Sequence, residues 1–275
     1  MAQIEAYRQQ QSEQQQKLKS RMGKIKRKVA VISGKGGVGK STVTVNLAAA
    51  FAQKGFRVGV LDADIHGPSV PRLLGLEGQR VKTGPPGAFP VDGPFGLKVM
   101  SIDFFLPEEA PTIWRGPLKM RAIRQFLSDI VWGELDFLFI DLPPGTGDEP
   151  LSIAQLLPDL DGVVIVTMPS QLSSSVVRKA ITFAERLNMP IIGVVENMSG
   201  FVCPHCKEKI EIFQSGGGKK MAEETGLLFL GSIPIDPEIG VDSDKGHPFV
   251  VAHKDSAAAK AFMEIVEKVE AYLKK

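Results

Sequence analysis

A glycine-rich segment with two lysines offers the clearest chemistry in the sequence. Residues 34–41 are GKGGVGKS, which matches the phosphate-loop pattern G-x-x-x-x-G-K-[ST]. Glycines let backbone N–H groups point at phosphate oxygens, and a helix starting at Ser41 adds its positive N-terminal end. Lys40 can place its ammonium on the outer phosphates, and the Ser41 hydroxyl can bind Mg²⁺. We therefore expect ATP to contact Gly34, Lys35, Gly36, Gly37, Val38, Gly39, Lys40, Ser41 and Thr42.

Carboxylates follow two other apolar runs, at points where parallel strands would end. Asp62 and Asp64 come after residues 58–61 and, two residues apart on extended chain, point to the same side. One of them can hold Mg²⁺ through water while the other orients the attacking water. An Asx turn that closes the strand is an alternative. Asp141 ends the run 137–140, which is the Walker B pattern, in which the carboxylate faces Mg²⁺.

Later loops supply candidate contacts to the rest of a nucleotide. Gly145 is placed to offer its N–H to the terminal phosphate, in a loop that could change shape after hydrolysis. The amide of Asn197 can pair with the edge of adenine, and residues 233–237, with Pro234 and Asp236, could form a wall against the ring. A turn-forming asparagine fits the same spacing.

Both cysteines of the chain lie in one short motif, Cys203-Pro204-His205-Cys206. A single C-x-x-C fits a redox dithiol, half of a zinc site or half of an iron–sulfur site. One chain offers two thiolates, whereas a Cys₄ zinc site or a [4Fe–4S] cluster needs four. A two-fold homodimer would supply four at its axis.

The elements that must position these residues alternate between short apolar strands and longer helices. We predict strands at 29–33, 58–62, 97–101, 137–141, 162–167, 191–196 and 228–232, and helices at 41–54, 117–128, 149–157, 171–187, 217–225 and 256–273. This alternation predicts an α/β fold with a doubly wound, mostly parallel sheet, helices on both faces, and ligands at the carboxyl ends of strands. The Gly- and Pro-rich segment 76–96 is expected to form a surface excursion or a small hairpin. Trp114 and Trp132 flank an apolar helix and are expected in the core or at an interface.

Composition and charge restrict the class of protein. The chain has 275 residues, of which 43% are apolar and 23% charged, so it can bury a sizeable core. Its apolar runs are too short to cross a bilayer, residues 1–28 lack the apolar region of a signal peptide, and two cysteines exclude a disulfide framework. We expect a cytoplasmic protein without a transmembrane segment.

Charge also divides the chain into a basic, glutamine-rich extension at residues 1–27 and a P-loop ATPase domain at 28–275. Residues 1–28 contain eight basic and two acidic residues, and the rest of the chain contains 25 and 29. Such an arm either contacts nucleic acid, a membrane or a partner, or is a solvated extension. We expect no specific nucleic acid.

Lys35 makes the phosphate loop resemble the deviant loops of the MinD/Mrp/nitrogenase-iron-protein group. In that group the early lysine reaches the nucleotide of the partner subunit, so the resemblance implies a nucleotide-sandwich homodimer with Lys35 and Lys40 in catalysis. It also assigns water activation to Asp64 and the outer metal shell to Asp62. It supports adenine contacts at the later strand ends. The alternative for Lys35 is a solvated loop residue.

Further motifs bring the resemblance to the Mrp/ApbC family. DADIHGPS, DLPPGTGD, ENMSGFVCPHC, IFQSGGGKKMAEE and GSIPIDPEI follow one another as in that family, over roughly residues 25–270. The family comprises ATP-dependent iron–sulfur cluster carriers or scaffolds. The resemblance implies slow ATP hydrolysis and a labile [4Fe–4S] cluster, bridged by Cys203 and Cys206 of two subunits and delivered to apo-proteins. The first 28 residues contain no cysteine, so a second cluster there is not expected.

Three other functions compete with this interpretation. A zinc ion could bridge the same cysteines. A spatial organiser of the MinD/ParA type would need a basic amphipathic C-terminal helix, but the polar face of residues 256–273 mixes both charges, which favours docking on the protein's own domain. A reductase resembling nitrogenase iron protein would have cluster cysteines far apart in sequence, unlike this adjacent pair.

Overall fold

The structure, a computed structural model, describes residues 2–105, 116–145, 147–157, 159–169, 171–203, 205–206, 208–213 and 215–274. Its helices are α1 (Ala2–Met22), α2 (Lys40–Gln53), α3 (Val70–Leu73), α4 (Gly116–Ser128), α5 (Asp148–Leu156), α6 (Gln171–Arg186), α7 (Gly217–Thr225), α8 (Pro237–Lys245), α9 (Phe249–Ala252) and α10 (Ala257–Leu273). Its strands are β1 (Ile25–Ser33), β2 (Val58–Asp62), β3 (Lys82–Gly84), β4 (Gly87–Phe89), β5 (Val91–Asp92), β6 (Lys98–Met100), β7 (Leu135–Asp141), β8 (Gly162–Thr167), β9 (Ile191–Val202), β10 (Lys209–Ile210) and β11 (Phe229–Ile235). Short 3-10 turns lie at Pro94–Gly96 and Ile102–Phe105.

Nine of these strands form one mostly parallel sheet with β1 near its centre. The order is β10-β9-β8-β1-β7-β2-β6-β5, and β11 also pairs with β9. Strands β2 and β8 are buried along their whole length because helices cover both faces of the sheet, which explains why they are apolar without alternation. The structure confirms the doubly wound α/β fold.

The register of the central strands brings the predicted chemistry to one edge of the sheet. Strand β7 lies between β1 and β2, with Asp141 opposite both Val31 and Asp62. The phosphate loop leaves β1 at this same edge. Since the carboxyl ends of parallel strands meet there, residues far apart in sequence become neighbours.

Most predicted elements are confirmed, and the main differences have physical causes. Strand β1 starts at Ile25 rather than residue 29, because its basic residues have acidic partners elsewhere: Arg27 lies 2.8 Å from Asp161, and the Lys28 ammonium lies 3.3 Å from Asp159. Strand β9 continues to Val202, six residues past the predicted end. Segment 76–96 contains the β3–β4 hairpin, as expected.

The ends of the chain pack on the domain through apolar residues. Helix α1 buries Leu18 and Met22 and lies against α4, while Lys17 Nζ lies 2.8 Å from Asp129 Oδ1. Helix α10 packs on β11 and α2, and its apolar residues Phe262, Ile265, Val266, Val269 and Leu273 are buried. This confirms that the C-terminal helix docks on its own domain. Among the described residues, no helix is long and apolar enough to cross a membrane.

The two tryptophans differ in what the structure describes. Trp132 lies in the core, where its ring nitrogen donates to the carbonyl of Phe126 over 3.3 Å. This confirms the expectation that Trp132 is a core residue. Trp114 lies outside the described residues.

Candidate nucleotide site and cysteine hairpin

The loop between β1 and α2 has the backbone that a phosphate loop requires. Gly37 and Gly39 have φ values of 78° and 79°, in the left-handed region that favours glycine. A β-carbon at Gly39 would also lie 2.3 Å from Asn197 Nδ2, so this position has no room for a side chain. The loop, together with Asp64, Ser69, Leu73 and Pro144, lines a cleft of about 290 Å³.

The polar side chains of the motif are concentrated around one buried carboxylate, Asp141. Lys40 Nζ lies 2.8 Å from Asp141 Oδ1, and the Ser41 hydroxyl donates to Oδ2 over 2.6 Å. The Thr44 hydroxyl lies 2.7 Å from Oδ1 and 3.0 Å from the Lys40 carbonyl. The Thr44 hydroxyl has one proton, and a hydrogen bond to the charged Asp141 carboxylate is stronger than one to the neutral Lys40 carbonyl. The sequence therefore brings the P-loop lysine and serine together with the Walker B carboxylate, as the pattern predicted.

Asp62 braces the loop that follows β2. Its Oδ1 accepts the N–H of Asp64, and its Oδ2 accepts the N–H groups of Ser69 and Val70, at 3.0–3.1 Å. The bond from Asp64 is the Asx turn that the sequence left as an alternative. Burial raises the pKa of Asp62, and the nearby charge of Asp141 raises it further.

Asp64 lies in the same cleft as the phosphate loop and is partly exposed. Its Oδ1 accepts the N–H of Gly67 over 3.2 Å. Burial raises the pKa of Asp64, and the charge of Lys40 opposes the rise. A carboxylate with a raised pKa beside a phosphate loop is suited to accept a proton from water.

The other residues predicted to contact the nucleotide lie around the phosphate loop, and their polar groups form hydrogen bonds within the protein. The Gly145 N–H donates to the Ser33 carbonyl over 2.8 Å, which ties the loop after β7 to the end of β1. Lys35 is partly buried, and its carbonyl accepts the Ser33 hydroxyl over 2.9 Å. Asn197 is buried and donates from Nδ2 to the Val38 carbonyl over 2.9 Å.

Pro234 and Asp236 lie at the end of β11, beside Asn197. Residue Ile233 pairs with Asn197 in the parallel register, so Pro234 follows directly beyond it. Asp236 is the N-cap of α8 and accepts the Glu238 N–H over 3.1 Å. Two of the three proposed adenine contacts, Asn197 and Pro234, are thus on adjacent strands, and Asp236 follows directly after the second strand.

The two cysteines lie where β9 turns back into β10. We call the end of β9, strand β10 and the two cysteines between them the cysteine hairpin. The Cys203 N–H donates to the Glu208 carbonyl over 2.9 Å, and Val202 pairs with Lys209. Cys203 is partly buried, Cys206 is exposed, and the two are thiols rather than a disulfide. His205 between them is exposed.

One chain does not complete a four-ligand metal site within the described residues. There, no group of three or more His, Cys, Asp or Glu side chains could hold a metal ion. Apolar side chains in the hairpin and directly after it are open to solvent: Val202, Ile210, Ile212 and Phe213.

Two polar residues of these sites were not singled out from the sequence. Thr44 carries no motif position, yet it is fully buried and faces Asp141. Glu196 is fully buried at the end of the apolar run 192–195, just before Asn197. A carboxylate directly after an apolar strand was the available signal, the same one that identified Asp62 and Asp141.

Comparison with known proteins places these features in a family context. The ParA family model described as "NUBPL iron-transfer P-loop NTPase" matches residues 24–270. A protein named iron-sulfur cluster carrier protein from Methanocaldococcus jannaschii is 54% identical over 259 residues, which are 94% of this chain and 89% of the relative.

Solved structures share the fold. A nucleotide-binding protein from Archaeoglobus fulgidus, in complex with ADP, superposes with a TM-score of 0.77 at 45% identity, covering 85% of this chain and 92% of that one. The septum site-determining protein MinD from Pyrococcus horikoshii, complexed with Mg-ADP, gives a TM-score of 0.63 at 21% identity, covering 89% and 96%. The second likeness concerns the fold alone.

Proposed function

The chain belongs to the family of NUBPL iron-transfer P-loop NTPases, and from that premise we propose that it is an ATP-dependent carrier or scaffold for iron–sulfur clusters. It holds a labile [4Fe–4S] cluster between two copies of itself and delivers the cluster to apo-proteins. The observation that carries this proposal is that one strand, β9, serves both sites. Asn197 contacts the phosphate loop, and the same strand ends next to Cys203.

The nucleotide half of the proposal rests on the network around Asp141. Two oxygen donors that suit Mg²⁺, the Ser41 hydroxyl and the Asp141 carboxylate, lie side by side, so this pair would hold the ion. Mg²⁺ would neutralise charge on the phosphates. Both oxygens of Asp62 accept backbone N–H groups, which fits an outer-shell role better than direct ligation.

The charged groups around the cleft support the proposed ATP hydrolysis. Lys40 would move from Asp141 to the outer phosphates, and Asp64 would accept the proton of the attacking water. Lys35 would supply positive charge to the nucleotide of the partner subunit, as an arginine finger does. The Gly145 N–H would leave the Ser33 carbonyl and donate to the terminal phosphate, and Asn197, Pro234 and Asp236 would contact adenine. We expect turnover to be slow and linked to cluster binding or transfer.

The cluster half of the proposal requires two chains. Each chain brings Cys203 and Cys206, and two copies related by a two-fold axis bring the four thiolates of a [4Fe–4S] site. The exposed apolar residues around the hairpin are suited to burial between the copies. Because the pair must be reduced to bind a cluster, we also propose that the protein works in the cytoplasm. The helix at residues 2–22 belongs to the proposed N-terminal extension, and residues 28–275 form the proposed ATPase domain.

Two competing functions are less well supported. A membrane-targeting organiser would need the apolar face of α10, but that face is buried against β11 and α2. A zinc-bridged dimer uses the same thiolates and differs only in the metal, so chemical analysis separates it from the cluster carrier.

Anaerobic reconstitution with iron and sulfide tests the cluster site. We expect about four iron and four sulfide ions per two chains. The variant Cys203→Ala/Cys206→Ala should bind neither, while His205→Ala, a change within the same motif, should bind like the wild type. Iron uptake that is equal in the double variant would contradict the proposal. Zinc without sulfide would favour the zinc-bridged dimer.

The role of the nucleotide needs a separate test. Transfer of the cluster to an apo-acceptor should depend on ATP in the wild type. It should lose that dependence in Lys40→Ala. If Lys40→Ala transferred clusters with the same response to ATP, the nucleotide site would not drive transfer.

A further inference from the structure

Glu196 is a fully buried carboxylate to which the nucleotide and cysteine chemistry assigns no role. We call residues 199–203 and 216–218 the base of the cysteine hairpin. Building on the proposed function, we infer that Glu196 is a positioning residue that fixes this hairpin base and links it to the phosphate loop. The run IFQSGGGKKMAEE, which lies downstream of the cysteines, supplies part of the same arrangement.

Four hydrogen bonds converge on this carboxylate from three segments of the chain. Oε1 accepts the Ser199 hydroxyl at 2.5 Å, the Gly216 N–H at 3.0 Å and the Ser232 hydroxyl at 3.3 Å. Oε2 accepts the Gly218 N–H at 2.5 Å. Since ionised acceptors form the stronger hydrogen bonds, one buried carboxylate holds these segments together.

These bonds close the base of the segment that carries the cysteines. Ser199 lies four residues before Cys203, and Gly216 lies ten residues after Cys206, so both ends of the segment are anchored on one side chain. The glycines make this approach possible. Gly216 has a φ of 80°, and a β-carbon at residue 218 would lie 3.0 Å from the β-carbon of Glu196.

The neighbouring residue makes the connection to the phosphate loop. Asn197 donates to the Val38 carbonyl, and consecutive side chains on a strand point to opposite sides. Glu196 therefore holds the hairpin base from one side of β9 while Asn197 holds the phosphate loop from the other. Beyond this point the strand is irregular, with positive φ at Met198 and Gly200. A shift of the loop when nucleotide binds is thus passed to the hairpin base through one dipeptide.

Hydrogen exchange of the full-length, cluster-free protein tests this link. In the wild type, Mg²⁺ with a non-hydrolysable ATP analogue should slow exchange in the phosphate loop and also in residues 199–203 and 216–218. In Glu196→Gln the phosphate loop should still respond, because no nucleotide contact is changed. The hairpin base should exchange about 10- to 100-fold faster and no longer respond to nucleotide, since the amide nitrogen cannot accept the bonds.

Matched variants keep the test decisive if Glu196→Gln folds poorly. Ser199→Ala removes a donor on the path to the cysteines, and Ser232→Ala removes a donor to the same oxygen from β11. The first should weaken the response of the hairpin base to nucleotide, and the second should leave it unchanged. Glu223→Gln, which changes an exposed carboxylate on α7, controls for loss of charge.

Two results would overturn the inference. The first is a wild-type hairpin base whose exchange rate does not change when nucleotide binds. The second is an exchange response to nucleotide that persists unchanged in both Glu196→Gln and Ser199→Ala. Because no cluster takes part, this measurement is separate from the reconstitution test. A chain that bound no iron could still show the link, and a chain that carried clusters could still lack it.

Discussion

Replacing Lys40 and Asp141, singly and together, tests whether the phosphate loop and the end of β7 are held by one buried ion pair. The lysine side chain is 6% exposed and the carboxylate is fully buried, with 2.8 Å between their charged atoms. Lys40→Met leaves a buried carboxylate without its cation. Asp141→Asn leaves a buried ammonium with the Ser41 hydroxyl at 3.3 Å.

The structure sets the expected magnitude. Removing one partner of a buried pair costs about 3–5 kcal/mol of the free energy of unfolding. We expect about 3 kcal/mol for Lys40→Met, at the low end, because the carboxylate keeps the hydroxyl donors of Ser41 and Thr44. Asp141→Asn should cost about as much. In the double variant neither member of the pair is left buried without its partner, so its loss should be about 2 kcal/mol smaller than the two single losses combined.

Urea unfolding of the four proteins without added nucleotide measures these losses. Equal slopes of the transitions would show that the changes act on the folded state. The account would be refuted if the single losses added up in the double variant to within about 0.5 kcal/mol, as they do for residues that do not interact. A loss below about 1 kcal/mol in Lys40→Met would also refute it.

Three further predictions concern stability elsewhere in the molecule. Thr44→Val removes a hydroxyl donor to Asp141 and should lower the free energy of unfolding by about 2 kcal/mol in urea titrations; no loss would show that the hydroxyl does not serve the carboxylate. Hydrogen bonds from Arg57 hold the pKa of Asp136 well below its usual range, so its stabilising effect is present at neutral pH and is lost as the pH falls. Asp136→Asn should therefore cost about 1 kcal/mol at pH 7, and the gap from the wild type should close only below about pH 4; a gap that stays constant down to pH 3 would contradict this. Ile265→Ala should cost about 2–4 kcal/mol in thermal or urea unfolding because the fully buried side chain packs α10 onto the sheet; a loss under about 1 kcal/mol would mean that α10 is loosely docked.

Much of the fold could be predicted because its signals are local. Strands β2 and β8 and helix α7 begin and end where the apolar runs, aspartates and glycines indicated. The start of β1 was missed because Arg27 and Lys28 look like the end of a basic extension. Their partners, Asp161 for Arg27 and Asp159 for Lys28, are distant in sequence, and only the fold shows that these carboxylates neutralise them.

The residues of the candidate site also differ in whether local sequence signals or only the fold identify them. The residues of the phosphate loop and Asp141 follow from spacing, and the structure brings them together. Thr44 and Glu196 could not be assigned, because their roles come from groups that the fold brings near them. For Asp62 the sequence allowed a metal role or an Asx turn; only the positions of the following N–H groups identify the turn.

Direct transfer of a cluster between proteins tests the central claim most closely. The reconstituted protein would be mixed anaerobically with the cluster-free form of an enzyme that needs a [4Fe–4S] cluster, in the presence of an iron chelator. We predict that the acceptor regains activity at about one cluster per dimer, that the chelator captures little iron, and that the double cysteine variant gives no recovery. Recovery that the chelator abolishes, or that the double cysteine variant matches, would contradict the claim that this chain carries the cluster.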